Sequence, residues 1–174
     1  MNTVTIASRI VPVPDLPSLA AEQLKDAAAV GALIDAAFGP GRFAKAAERL
    51  REGRPPCLDL SVTAWEGCEL VGVVRQWTVT VGGTPAIFLG PIAVDEDRRR
   101  HGLGAALIQR ACAAAIAAGH ELIVLVGDPP FFGPLGFVEA PGVVMPGPVD
   151  QRRVMCRALK LGADTGLKGL VVAA

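Results

Sequence analysis

The residues able to do chemistry lie in a few short stretches. Arg98, Arg99, Arg100 and His101 form a compact basic knot, and Gly102-Leu103-Gly104 follows at once. The apolar run Leu89–Val94 precedes the knot, and a long apolar helical pattern follows it. Strand, glycine-rich loop and helix together suit a phosphate group. The first amides of a helix have no acceptor inside it and can point at an anion. Successive amides in a tight turn form a similar nest. Gly102 and Gly104 let the backbone come close, and Arg99 and Arg100 add positive charge. His101 either contacts phosphate or faces water, and without a ligand the whole knot reads as a solvated turn. Two carboxylates are candidates for base chemistry. Asp128, in Gly127-Asp128-Pro129-Pro130, can bind a cationic amine, orient a water or form the turn before Pro129. Glu66, in Glu66-Gly67-Cys68-Glu69, is a weaker candidate that a turn position explains equally well.

Other chemistries lack their residues. Cys57, Cys68, Cys112 and Cys156 show no metal-ligand spacing, and the chain has two histidines, so no metal is expected. Cys112 falls in an alanine-rich helical stretch and is expected to pack as a small hydrophobe. Unpatterned cysteines point to reduced thiols and a cytoplasmic setting. Lys plus Arg and Asp plus Glu are 17 each, which gives no support for nucleic acid as a partner. No apolar stretch is long enough for a membrane span, and the amino terminus has no signal-peptide pattern. A dinucleotide fingerprint would need a third glycine, and a phosphate loop of the nucleotide-hydrolase kind would need a Lys-Ser or Lys-Thr pair; neither follows Gly104.

The elements that must position these residues can be read in order over 174 residues, a length that suits one domain. Val4–Val11 reads as a first strand bounded by Pro12 and Pro14. A helix is expected from Pro17 to about Phe38, with a break near Ala28–Gly31, ended by Gly39-Pro40-Gly41. Arg42–Arg51 reads as a second short helix. Leu58–Trp65, Leu70–Val81 and Thr84–Val94 form an antiparallel meander, with a bulge near Gly72 and a tight hairpin at Gly82-Gly83. Pro91 cannot donate to a ladder, so pairing must break or shift there. A helix runs from about Leu103 to Ala118, with Leu107, Ile108, Ala111, Ala115 and Ile116 on its buried side and Gly119 as terminator. Leu122–Val126 is a strand covered on both faces, parallel to the strand ending at Val94 through a helical crossover. Phe131–Leu135 reads as a helical turn, Phe137 as core, Val138–Val149 as a loop and Arg153–Leu159 as the last strand. Gly162–Ala174 is a tail, either ordered or frayed.

The hexamer Arg99-x-x-Gly102-x-Gly104, with LGPIAV before it and GDPPFFGPLGF at Gly127–Phe137 after it, resembles the GNAT N-acetyltransferases, in particular their "predicted acetyltransferase" branch. The resemblance spans roughly Val4 to Leu159 and is strongest from Leu89 to Phe137. It implies an α/β fold with a mixed central sheet of six or seven strands flanked by helices. The parallel pair, Leu89–Val94 and Leu122–Val126, would splay apart at or just after Pro91. It implies acetyl-CoA, with the diphosphate over Arg99, Arg100, His101, Gly102, Leu103 and Gly104. The pantetheine arm would pair with backbone at Ile92, Ala93 and Val94. It implies direct transfer of acetyl to a small-molecule or peptide amine. Acceptor pockets in this family place Phe38 and Phe43, with Phe131, among candidate lining residues; ordinary core explains each of them as well. Many members carry a tyrosine near the coenzyme sulfur as general acid. This chain has no tyrosine, and Phe132 occupies the matching position. Either the thiolate leaves without a side-chain donor, or the protein binds acyl-CoA with little or no catalysis. A homodimer, common in the family, could form through the carboxyl-terminal strand or the meander edge.

Overall fold

The computed structural model describes residues 17–40, 46–99 and 102–174. The expected strand Val4–Val11 and the candidates Phe43, Arg100 and His101 lie outside the described residues. The chain forms β1 (Ser18–Ala21), α1 (Ala27–Phe38), β2 (Val62–Glu66), β3 (Glu69–Val81), β4 (Thr84–Val94), α2 (Leu103–Ala117), β5 (Leu122–Val126), α3 (Pro129–Phe132), β6 (Val138–Glu139), β7 (Val143–Val144), β8 (Val154–Ala158) and β9 (Gly169–Ala173). The main sheet runs β1-β2-β3-β4-β5-β8-β6, seven strands, with β9 added to the end of β3 and β7 to β9. Among the described residues no helix is long and apolar enough to cross a membrane.

The meander and the crossover form as the apolar patterns require. Gly82 and Gly83 both take positive φ, 54° and 89°, and Val81 faces Thr84 across the turn. This is backbone that only glycine adopts freely. β4 and β5 are parallel, joined through α2. Val30 and Ile34 of α1 pack on Val73 and Ala93 on one face of the sheet. On the other face, Leu103, Leu107, Ile108, Ala111, Cys112 and Ala115 of α2 pack on Val62, Ala64, Val71, Val74, Ile87 and Leu125. The helix approaches closely at Gly72, where a Cβ would lie 2.9 Å from Leu107 Cδ1. The bulge is one residue earlier: Ala64 faces Gly72 and Trp65 faces Leu70, leaving Val71 without a counterpart on β2.

Four expectations need correction. The stretch after Pro17 is not continuous helix. Ser18–Ala21 pairs antiparallel with Val62–Trp65 as an edge strand. The Gln23 amide donates to the Asp26 carboxylate at 2.9 Å, a capping contact that starts the helical stretch at Leu24 rather than Pro17. Leu24 is 82% exposed, so it belongs to no buried helical face. Of the expected second helix residues 46–51 are described, and they form a 3-10 turn, Ala46–Leu50, followed by a turn at Arg51. Ile116 is exposed and Cys112 takes its place in the core. Ile116 lies eight residues beyond Ile108, which at 3.6 residues per turn rotates it about 80° off the buried line. The last strand is not Arg153–Leu159. After β8, Gly169–Ala173 returns and pairs with Val79–Val81, so the tail is ordered. Within Val138–Val149, β6 and β7 are two-residue strands in what reads otherwise as loop.

Candidate active site

The site begins where the central sheet opens. β4 and β5 share only the pairs Ile87↔Ile123 and Phe88↔Val124. From Leu89 onward the edge of β4 that faces β5 has no strand partner among the described residues, although β4 stays paired with β3 as far as Val94. The split therefore starts at Leu89, slightly before the expected Pro91. The β3–β4 register also shifts here: Val74 faces Ile92 and Gln76 faces Leu89, so Gly90 and Pro91 stand opposite Arg75 alone. Proline offers no amide to hold a regular ladder.

The opening widens into a cleft of about 830 Å³, a size suited to a large ligand. Its lining brings together most of the residues singled out above. Ile92, Ala93, Val94, Arg99, Gly102, Leu103, Gly104, Asp128, Phe131, Phe132 and Phe38 all line it. Glu66 is not among the lining residues. Its carboxylate is gripped by Arg98, with Nε 2.9 Å from both oxygens and Nη2 2.7 Å from Oε2. That hydrogen bond raises the already high pKa of Arg98. Glu66 thus fixes the side chain next to the loop instead of facing the cleft as a base.

At the loop end, Gly102 caps α2 with φ 79°, and nothing lies within 4 Å of where its Cβ would be. The next amides begin the helix and have no acceptor within it. Gly104 is tighter, for a Cβ there would meet the Phe131 ring at 3.4 Å. Arg99 is aimed by its Nε, which donates to the Val94 carbonyl at 3.1 Å. The other charged side chains lining the cleft have ion-pair partners: Arg98 with Glu66, Arg51 with Glu48, Arg153 with Asp128, and Asp150 with Arg152, which lies outside the lining. Among the described residues, Arg99 has none. An open glycine cradle, unpaired helix amides, an uncompensated guanidinium and a bare strand edge fit a diphosphate with an amide-bearing arm.

At the other end, β5 leaves the sheet at Gly127. The Gly127 amide donates to Arg153 O at 2.9 Å, continuing the β5–β8 ladder. A Cβ on Gly127 would lie 2.1 Å from Phe132 Cε2, so only glycine leaves room for that ring. Phe132 is 8% exposed and packs edge-to-face with Phe131 and Phe137, at centroid distances of 4.9 and 5.7 Å. Asp128 follows, with Oδ1 3.0 Å from Arg153 Nη2. Their side chains are 70% and 48% exposed. Such a pair contributes only about 0–1 kcal/mol, so a ligand can open it at little cost. Nearby, the Asp150 carboxyl is held below the usual range by its hydrogen bonds to Arg152. Arg51 lies under Trp77 and Phe88, 5.5 and 5.6 Å from their ring centres.

Sequence reasoning missed Gly127, Arg51 and Arg153 as lining residues. Arg153 had a signal, the Arg152-Arg153 pair opening a strand that must neighbour β5. Arg51 had none, because its place in the lining depends on tertiary contacts with Trp77 and Phe88 far along the chain.

The profile of the Acetyltransferase (GNAT) family matches residues 28–133. The uncharacterized N-acetyltransferase YhbS of Escherichia coli K12 is 32% identical over 114 residues, 64% of this chain and 68% of that protein. The crystal structure of Escherichia coli YhbS in complex with CoA superposes with a TM-score of 0.79 at 26% identity, covering 91% of this chain and 90% of that one. A GNAT family acetyltransferase from Brucella melitensis in complex with acetyl-CoA shares the fold, with a TM-score of 0.69 at 24% identity over 91% of this chain and 96% of the other. A family profile over more than half of the chain, a relative at this identity and the split parallel pair agree: the chain belongs to the GNAT acetyltransferase family.

Proposed function

We propose that this protein transfers an acetyl group from acetyl-CoA directly to an amine. The observation that carries the reading is the bare edge of β4 from Leu89 to Val94, opening beside the amino terminus of α2. The α2 amides and Arg99, with Arg100 and His101 of the same loop, would hold the diphosphate. The backbone of Ile92, Ala93 and Val94 would pair with the pantetheine arm much as a further strand would. Phe131 and Phe132 wall the cleft where β5 ends, and Phe132 would stand beside the sulfur. Bound there, the thioester supplies the acyl carbon that joins the amine nitrogen as its C–S bond breaks, and the sulfur departs as the thiol. The chain's part is mostly positioning, since two reactants held together need not meet by diffusion. Asp128, exposed at the cleft wall, would accept the first proton of the ammonium, directly or through water. The nitrogen's second proton ends on the sulfur, and Phe132 has no hydroxyl to relay it.

That last feature favours a second reading, a protein that binds acyl-CoA without transferring the acyl group. A thiol-release assay over small amines, amino acids and peptides separates the two. Amine-dependent release with matching N-acetylated product supports transfer. Tight coenzyme binding with no release across the panel would establish the binding protein instead.

A further inference from the structure

The two ends of the cleft treat charge differently. At the loop end, Arg99 has no ion-pair partner among the described residues, and its Nε donates to the Val94 carbonyl. At the far end, cation and anion are already matched, Arg153 with Asp128 and Arg152 with Asp150. Of these pairs, Arg153 and Asp128 both line the cleft, at the point where β5 leaves the sheet and beside Phe132.

That matched pair discriminates among amines. A simple monocationic amine approaching Asp128 meets the like charge of Arg153 within the same contact. A molecule with a carboxylate on the carbon next to its amine meets both partners. Its carboxylate takes the place of Asp128 on Arg153, and its amine takes the place of Arg153 on Asp128. The charge balance is preserved, and neither protein group is left unpaired. The Arg153 guanidinium suits a carboxylate because its fork offers several parallel donors, one of which, Nε, now rests 3.4 Å from the Gly127 carbonyl. Phe38, Pro148 and Val149 also line the cleft and give it apolar surface where a side chain can lie.

We propose that the acceptor is a free α-amino acid, with Arg153 reading its carboxylate and Asp128 its amine. This rests on the acetyl-transfer reading above. The ammonium gives one proton through Asp128 to solvent, the freed lone pair forms the N–C bond as the C–S bond breaks, and the second nitrogen proton goes to the departing sulfur. Amines lacking the adjacent carboxylate, including lysine side chains and peptide amino termini, are poor acceptors on this account.

The test separates binding from turnover. The protein saturated with CoA is titrated by calorimetry with each L-amino acid, and the best binder is compared with its carboxamide and its decarboxylated amine. The amino acid should bind about tenfold or more tightly than either analogue, the factor one charge-assisted hydrogen bond gives. Arg153→Gln should reduce that preference to about twofold or less, and Arg153→Lys should restore part of it. The melting temperature of each variant confirms that it is folded. Analogues that bind as well as the amino acid, or no binding by any amino acid, would overturn the proposal. An undiminished preference in folded Arg153→Gln would overturn the role of Arg153. Preferential amino-acid binding without thiol release from acetyl-CoA would instead overturn acetyl transfer and leave the amino-acid site standing.

Discussion

Phe132 is the residue on which the chemistry departs from what the resemblance implies. It is buried in an edge-to-face cluster with Phe131 and Phe137, and Gly127 makes room for its ring. Phe132→Tyr would place a hydroxyl on a ring that already lines the cleft. Where thiolate protonation limits the rate, acetyl transfer should rise and the pH profile should gain a limb near the tyrosine range, about pH 10. The placement itself is checked by a CoA-bound crystal structure. A sulfur farther than about 6 Å from the ring, beyond ordinary side-chain contact, would remove Phe132 from this role. The cysteines give a second test at this scale. Cys68 is exposed and Cys57 half-buried, while Cys112 and Cys156 are buried. Burial pushes both buried thiols up, offset in part for Cys112 by Arg157. With a thiol reagent at pH 8, mass spectrometry should show Cys68 modified first and Cys57 next. Cys112 and Cys156 should stay unmodified until denaturant is added; rapid labelling of either in native protein would contradict the packing of α2 or β8.

Elements whose signals are local were legible in the sequence. The Gly82-Gly83 hairpin, the α2 boundaries and β5 all follow from turn residues and apolar period. Strands whose identity depends on a distant partner were not. β1 pairs with β2 across more than forty residues, Ser18↔Trp65, and its own four residues, SLAA, fit a helix equally well. β9 forms only because the end of β3, Val79–Val81, runs on beyond β2 and offers a free edge. Two substitutions test elements directly. Gly72→Val would drive a branched side chain toward Leu107, with the Cβ alone 2.9 Å from its Cδ1. Overpacking of this kind costs about 1–3 kcal/mol, to be read as a lower denaturation midpoint. Gly102→Val places a branched residue at φ 79° at the head of α2. Calorimetry should show acetyl-CoA affinity lost in a variant that still folds; unchanged affinity would remove the loop from the coenzyme site.

At the scale of the molecule, the cleft is assembled from segments far apart in the chain. Phe38 and Arg51 come from one side, β4 and the α2 loop from the centre, Asp128 and Phe132 from the end of β5, and Arg153 from the start of β8. The part that lies in one stretch, Arg99 to Gly104, was visible as a motif. The ion pair of Arg153 with Asp128 appears only once β5 and β8 are side by side, because it is set by a ladder and by no spacing. In the proposed function, the open edge of β4 and the first turn of α2 receive the coenzyme. Amide hydrogen exchange with and without CoA tests it most directly. Added CoA should slow exchange in peptides covering Leu89–Val94 and Gly102–Ala105, and leave the β1–β2 pair and β9 unchanged. Slowed exchange elsewhere, with those two segments unaffected at saturating CoA, would contradict it.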